Sequence, residues 1–116
     1  MTEARFQKSA RLRRRPEFEL LLKKGRRQSD PCFTILSLAG AADADGPRLG
    51  LIVPRKQVAL AVERNRIKRI VRESFRQNRG ALPQLDMVVM VRSGIAARKN
   101  AELRASLAQH WLRLGR

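Results

Sequence analysis

The chain of 116 residues contains no tyrosine, one cysteine (Cys32) and one histidine (His110). A lone cysteine cannot close an internal disulfide, so a reducing cytoplasm is the expected compartment. Acidic residues are scarce: 10 Asp and Glu stand against 26 Lys and Arg. They are also scattered, with Glu63 and Glu73 ten positions apart, and suggest no two-metal hydrolytic site. No apolar run approaches the ~20 residues of a membrane span. Met1 to Ala10 lacks the apolar stretch of a signal peptide. Cys32 is expected as a small strand residue rather than a nucleophile. His110 is expected on the polar, solvent-exposed side of the last helix. The chain therefore offers no constellation for hydrolysis by itself, and no catalytic residue is expected within it.

What it has is positive charge, +16 in all. Residues 1–30 carry a net +6, 31–47 a net −2, 48–80 a net +8 and 81–116 a net +4. Two basic blocks around a neutral interlude suit a folded domain with basic faces better than a charged tail. The expected partner is a polyanion, nucleic acid ahead of an anionic membrane surface. At 43% hydrophobic residues the chain can bury one modest core, and its length fits a single domain over 1–116. Residues 1–11 are polar and read as a flexible terminus.

The element order is legible from punctuation and period. Pro16 opens a short helix whose early acids, Glu17 and Glu19, and late bases, Lys23 and Lys24, suit its dipole. Gly25 is its expected stop. Phe18, Leu21 and Leu22 form its apolar stripe. Cys32 to Leu38 reads as a strand, residues 39–47 as a loop, and Leu49 to Val53 as a second strand, apolar enough to be central. Together they suggest an antiparallel hairpin. Residues 55–63 could hide a further short strand. Arg64 to Asn78 is the strongest helix signal, Asp86 to Val91 a buried strand, and Ala101 to Leu114 a last helix. In that last helix Leu103, Leu107, Trp111 and Leu114 share one side, continued by Ala108 and Leu112. The fold class is α+β.

The basic helix is the informative segment. At ~100° per residue, Arg64, Lys68, Arg72, Asn65, Arg76 and Arg69 fall within roughly 140° of its circumference, and Arg66 lies just beyond. Ile67, Ile70, Val71, Ser74 and Phe75 take the other side. Cations four residues apart rise about 6 Å each, a spacing that reaches successive phosphates. Five of the six basic side chains are Arg, whose planar fork grips two phosphate oxygens. Like charges at this spacing cost a free helix a few tenths of a kcal/mol per pair. Only Glu73 lies near, within reach of Arg69 and Arg76. A solvated face alternates signs; this one does not, which favours contact with a polyanion.

The run Arg64-Asn65-Arg66-x-Lys68-Arg69-x-x-Arg72-Glu73-x-Phe75-Arg76 resembles the signature of the bacterial ribonuclease P protein subunit. Leu12 to Gly25, with Phe18, is similar to that family's first helix. Arg48 to Lys56 is similar to its second strand and following basic pair. The resemblance covers about residues 8–114.

It implies a single-domain α-β-β-β-α-β-α sandwich: a mixed sheet of about four strands, helices packed on it, and a left-handed βαβ crossover. It implies a protein that assists a catalytic RNA in removing the 5′ leader from precursor tRNA. Arg64, Asn65, Arg66, Lys68, Arg69, Arg72 and Arg76 would lie against that RNA. A cleft between the first helix and the sheet would hold the leader, with Phe18 and Phe33 as candidate stacking platforms and Arg14, Arg55 and Lys56 on its rim. Both Phe residues could equally be core. Leu22 and Leu36 stand where some relatives carry further aromatics, which shifts leader binding toward backbone contacts. Magnesium would come with the RNA subunit, with no protein-only metal site, and neither a protein partner nor a membrane is required. A ribosomal-type protein binding rRNA is the alternative. A DNA-reading helix-turn-helix is disfavoured, because a strand and Pro54 stand where its first helix should be.

Overall fold

The computed structural model describes residues 15–40 and 46–115. The expected flexible terminus at 1–11 and Arg14 lie outside these residues. The elements run α1 (Arg15–Lys24), β1 (Arg26–Ser29), β2 (Phe33–Ala39), β3 (Arg48–Ile52), α2 (Ala61–Asn78), β4 (Leu85–Val91) and α3 (Asn100–Leu114). This is the α-β-β-β-α-β-α order, with a four-stranded mixed sheet ordered β1-β2-β4-β3.

Three expectations about the strands are corrected. The first two predicted strands, here β2 and β3, do not form a hairpin. β2 pairs antiparallel with β1 and β4, and β3 pairs parallel with β4. The βαβ unit is therefore β3-α2-β4. The short extra strand is not in 55–63, which holds a turn and the start of α2; it is β1, made of Arg-Arg-Gln-Ser. Such a polar run carries no strand signal, and pairing with β2 alone makes it one. Finally, the central strand is β4, whose Met87, Val88 and Val89 are all buried, whereas apolar β3 lies at the edge.

The strand period of two divides the side chains between the sheet faces. Phe33, Ile35, Leu49, Met87, Val89 and Val91 point to one face, where Ile67, Ile70, Val71 and Phe75 of α2 and Leu103, Leu107 and Trp111 of α3 close the main core. Phe75 and Trp111 meet edge-to-face, centroids 6.1 Å apart, and the Trp111 indole N–H donates to Ser74 Oγ at 2.8 Å. The other face carries only Leu21, Leu36 and Val88 as a buried group, with Phe18, Leu38, Ile52 and Met90 half-buried around it. α1 supplies the only helical cover described there.

Helix ends follow local chemistry. Gly25 N–H closes α1 on Leu21 O at 2.8 Å, and a Cβ at Gly25 would stand 2.4 Å from that oxygen, so only glycine fits. α2 begins three residues earlier than expected. Its Arg64 guanidinium donates to Val58 O and Ala59 O at 2.9 and 2.8 Å, tying the preceding turn to the helix. In α3 the buried stripe differs from expectation. Ala108 and Leu112 are exposed, while Ser106 and His110 are buried, because α3 also meets the strand edge near β1.

Candidate nucleic-acid interface

α2 presents its cations opposite the core stripe, as the helical period requires. Asn65, Arg69 and Arg72 are exposed, and Lys68 and Arg76 are half-buried. Arg69 and Glu73 stand 3.8 Å apart with both side chains mostly exposed, a loose pair of small worth. Arg64 and Arg66 also serve within the fold. Arg64 binds the turn ahead of the helix, as above. The Arg66 side chain is only 18% exposed. Its guanidinium donates to Asn100 Oδ1 at 2.6 Å and to both Glu63 oxygens at 3.2 and 3.3 Å. Arg66 thus stitches α2 to the start of α3, a role the wheel did not foresee. Truncating it is expected to cost stability as well as any RNA contact.

The half-covered sheet face holds a cleft of about 830 Å³ beyond the reach of α1. Its floor is Thr34, Met90 and Ile52, one residue from each of β2, β4 and β3 in lateral register. Arg27 and Arg92 stand on its rim. Ser29 and Thr34 share a hydroxyl–hydroxyl hydrogen bond of 2.9 Å on the β1 side. Pro54 and Gln57 form the far wall, and exposed Arg55 and Lys56 belong to the same turn.

Of the two aromatic candidates, Phe18 is half-buried beside this face. Phe33 is corrected: it is 0% exposed and points to the opposite face, into the main core. Alternation decides this, since Phe33 precedes the cleft residue Thr34 by one position. Arg27, Thr34, Ile52, Met90 and Arg92 were missed. They are ordinary strand and loop residues, brought together only by sheet pairing.

One end of the cleft is braced from behind. Asp30 Oδ1 accepts the backbone N–H groups of Cys32 and Phe33, both at 2.9 Å, and Oδ2 accepts the Ser106 hydroxyl of α3. Burial pushes the Asp30 carboxyl up, but these donors outweigh it and hold it below its ordinary value. The Arg92 guanidinium donates to Asp30 O at 3.2 Å. Gln28 Nε2 donates to His110 Nδ1 at 2.7 Å and to His110 O at 3.2 Å. The ring proton therefore sits on Nε2, which faces Asp30 Oδ1 at 3.4 Å, outside hydrogen-bond geometry. His110 is 1% exposed, not solvated as expected, and burial holds its pKa below the ordinary value. Burial likewise pushes the Cys32 thiol up, against nucleophilic character. Among the described residues no three His, Cys, Asp or Glu side chains gather as a metal site. No described helix is long and apolar enough to cross a membrane.

A family model described as Ribonuclease P matches residues 6–115. The chain belongs to the ribonuclease P protein family. It is 43% identical to the ribonuclease P protein component of Thioalkalivibrio sulfidiphilus, over 94% of this chain and 89% of that one. It is 40% identical to that of Pseudoalteromonas atlantica, over 100% of this chain and 95% of that one. The solved structure of the Staphylococcus aureus RNase P protein superposes with a TM-score of 0.82 at 27% identity, covering 92% of this chain and 95% of that one. None of these names a ribosomal protein, so the alternative gains no support. As a ribonuclease P protein component, the chain is the RNA-binding protein subunit of a tRNA-processing ribonucleoprotein and partners its RNA subunit.

Proposed function

We propose that the exposed cations of α2 seat the catalytic RNA subunit, while the open sheet face holds the single-stranded 5′ leader of precursor tRNA. The RNA carries the hydrolytic chemistry with its magnesium ions, in the cytoplasm, and the protein supplies affinity and position. The observation that carries this reading is the division of α2: one side closes the core, and the other presents Asn65, Lys68, Arg69, Arg72 and Arg76. Cations spaced along one helix face suit a phosphate backbone. The cleft suits a single strand, with half-buried apolar side chains for bases and Arg27 and Arg92 for phosphates.

Reconstitution with the cognate catalytic RNA tests it. At low Mg²⁺, where the RNA alone is slow, adding the protein should accelerate cleavage of precursor tRNA and tighten its binding. An unchanged rate and affinity would overturn the reading.

A further inference from the structure

A second hollow, of about 720 Å³, lies beside β1 at the end of the sheet away from the Thr34–Met90–Ile52 floor. Lys24, Arg26, Arg27 and Arg113 line it, over apolar walls that include Leu38 and Leu85. All four cations are exposed, and no carboxylate among the described residues lines the hollow. None of the four has an ion-pair partner among the described residues, unlike Arg48, Arg66, Arg69 and Arg98. Four like charges lining one hollow, with no carboxylate among the described residues that line it, favour an anion when one arrives. The apolar walls add what a simple anion would not use.

Arg27 also lines the cleft on the open face. β1 links the two hollows around the edge of the sheet: Ser29 borders the cleft on the open face, and Arg26, about 10 Å along the strand, points to the other face, where the second hollow reaches Arg113 of α3. β1 is an edge strand, so backbone polar groups along its outer side are available between them. A single nucleic-acid strand is the ligand that wants phosphate contacts at regular intervals with apolar surface between.

We propose that this second hollow is an extension seat for single-stranded RNA, reached by the same strand that occupies the cleft, with Arg27 as the shared cation. The proposal rests on the leader reading above and deepens it. A leader that ends in the cleft leaves the hollow empty. A leader that continues past Arg27 gains phosphate contacts with Lys24, Arg26 and Arg113.

The experiment uses the reconstituted holoenzyme and precursor tRNAs whose leaders lengthen from a few nucleotides upward. With the natural protein, affinity should rise several-fold once the leader outgrows the cleft. In the R26Q/R113Q variant that increment should vanish. The salt slope for long-leader substrate should then fall by about 0.7 per lost contact. Cleavage of short-leader precursor and affinity for the catalytic RNA should stay as they were, which also controls for folding. A variant that keeps the full increment overturns the extension seat alone. So does one that loses short-leader and long-leader binding equally, because the hollow would then be part of a general basic surface. A natural protein that gives no benefit with any leader overturns the cleft reading and the seat together.

Discussion

The two faces of the sheet are made from the same strands and end in opposite states. One is closed by α2 and α3 over Phe33, Ile35, Met87 and Val89. The other buries three residues under α1 and leaves Ile52 and Met90 half-buried on the floor of a cleft. Stability is concentrated on the closed face, and accessible apolar surface, rimmed by cations, remains on the open one. That open face is the one proposed above to hold a single strand. Among the described residues no aromatic side chain lines the cleft, so the proposed strand would be held there by phosphate contact and apolar packing.

The comparison breaks most visibly under large-to-small substitution. Phe75→Ala on the closed face should cost about 3–5 kcal/mol, since a fully buried ring leaves a cavity. Met90→Ala on the open face should cost clearly less while weakening leader binding; denaturant titration and substrate affinity, measured together, separate the two. Equal stability losses would refute the contrast.

A smaller effect divides the cations of α2. Arg66→Ala should lose about 1–3 kcal/mol, because it leaves Asn100 and Glu63 without their charged donor. Lys68→Ala should stay within about 0.5 kcal/mol yet lower the salt slope of RNA binding by roughly 0.7–0.9. If both variants unfold alike, Arg66 does not bridge the helices.

His110 offers a pH test of the bracing behind the cleft. Its folded pKa lies below the ordinary 6.5, so the unfolded chain takes up the proton first. Its contribution is complete above that value and is lost as pH falls through it. Chemical denaturation should show stability falling from pH 7 toward pH 5, and a flatter profile in His110→Asn. Asp30, also held low, adds a separate loss as pH falls below about 3.8. The smallest effect is expected at Leu112, which is 59% exposed: Leu112→Gln should leave stability within about 0.5 kcal/mol.

Much of this was legible from residues alone where a period or a punctuation mark carried it. The apolar stripe Ile67, Ile70, Val71 and Phe75 is buried as the wheel predicts, and the basic row lies opposite. α1 runs from its Pro16 signal to Gly25 within a residue or two of expectation. The errors share one cause, which is that strand partners are not encoded locally. β2 and β3 look like a hairpin because they are adjacent in sequence, yet β4, over thirty residues later, lies between them. β1 has no apolar signature of its own. His110 looks polar on a wheel, and only the approach of Gln28 and Asp30 from another element explains its burial.

The sequence by itself determined the polyanionic partner, the cationic side of α2 and the family, because charge count, helical period and an uninterrupted signature are local properties. Only the tertiary structure decided which cations are tied to other parts of the fold and which residues form the cleft. It tied Arg66 to α3 and Arg64 to the turn before α2, put Phe33 in the core, and assembled the cleft from Arg27, Thr34, Ile52, Met90 and Arg92. Those choices depend on which strands pair and which face a helix covers, and these are set by contacts between residues far apart in the chain.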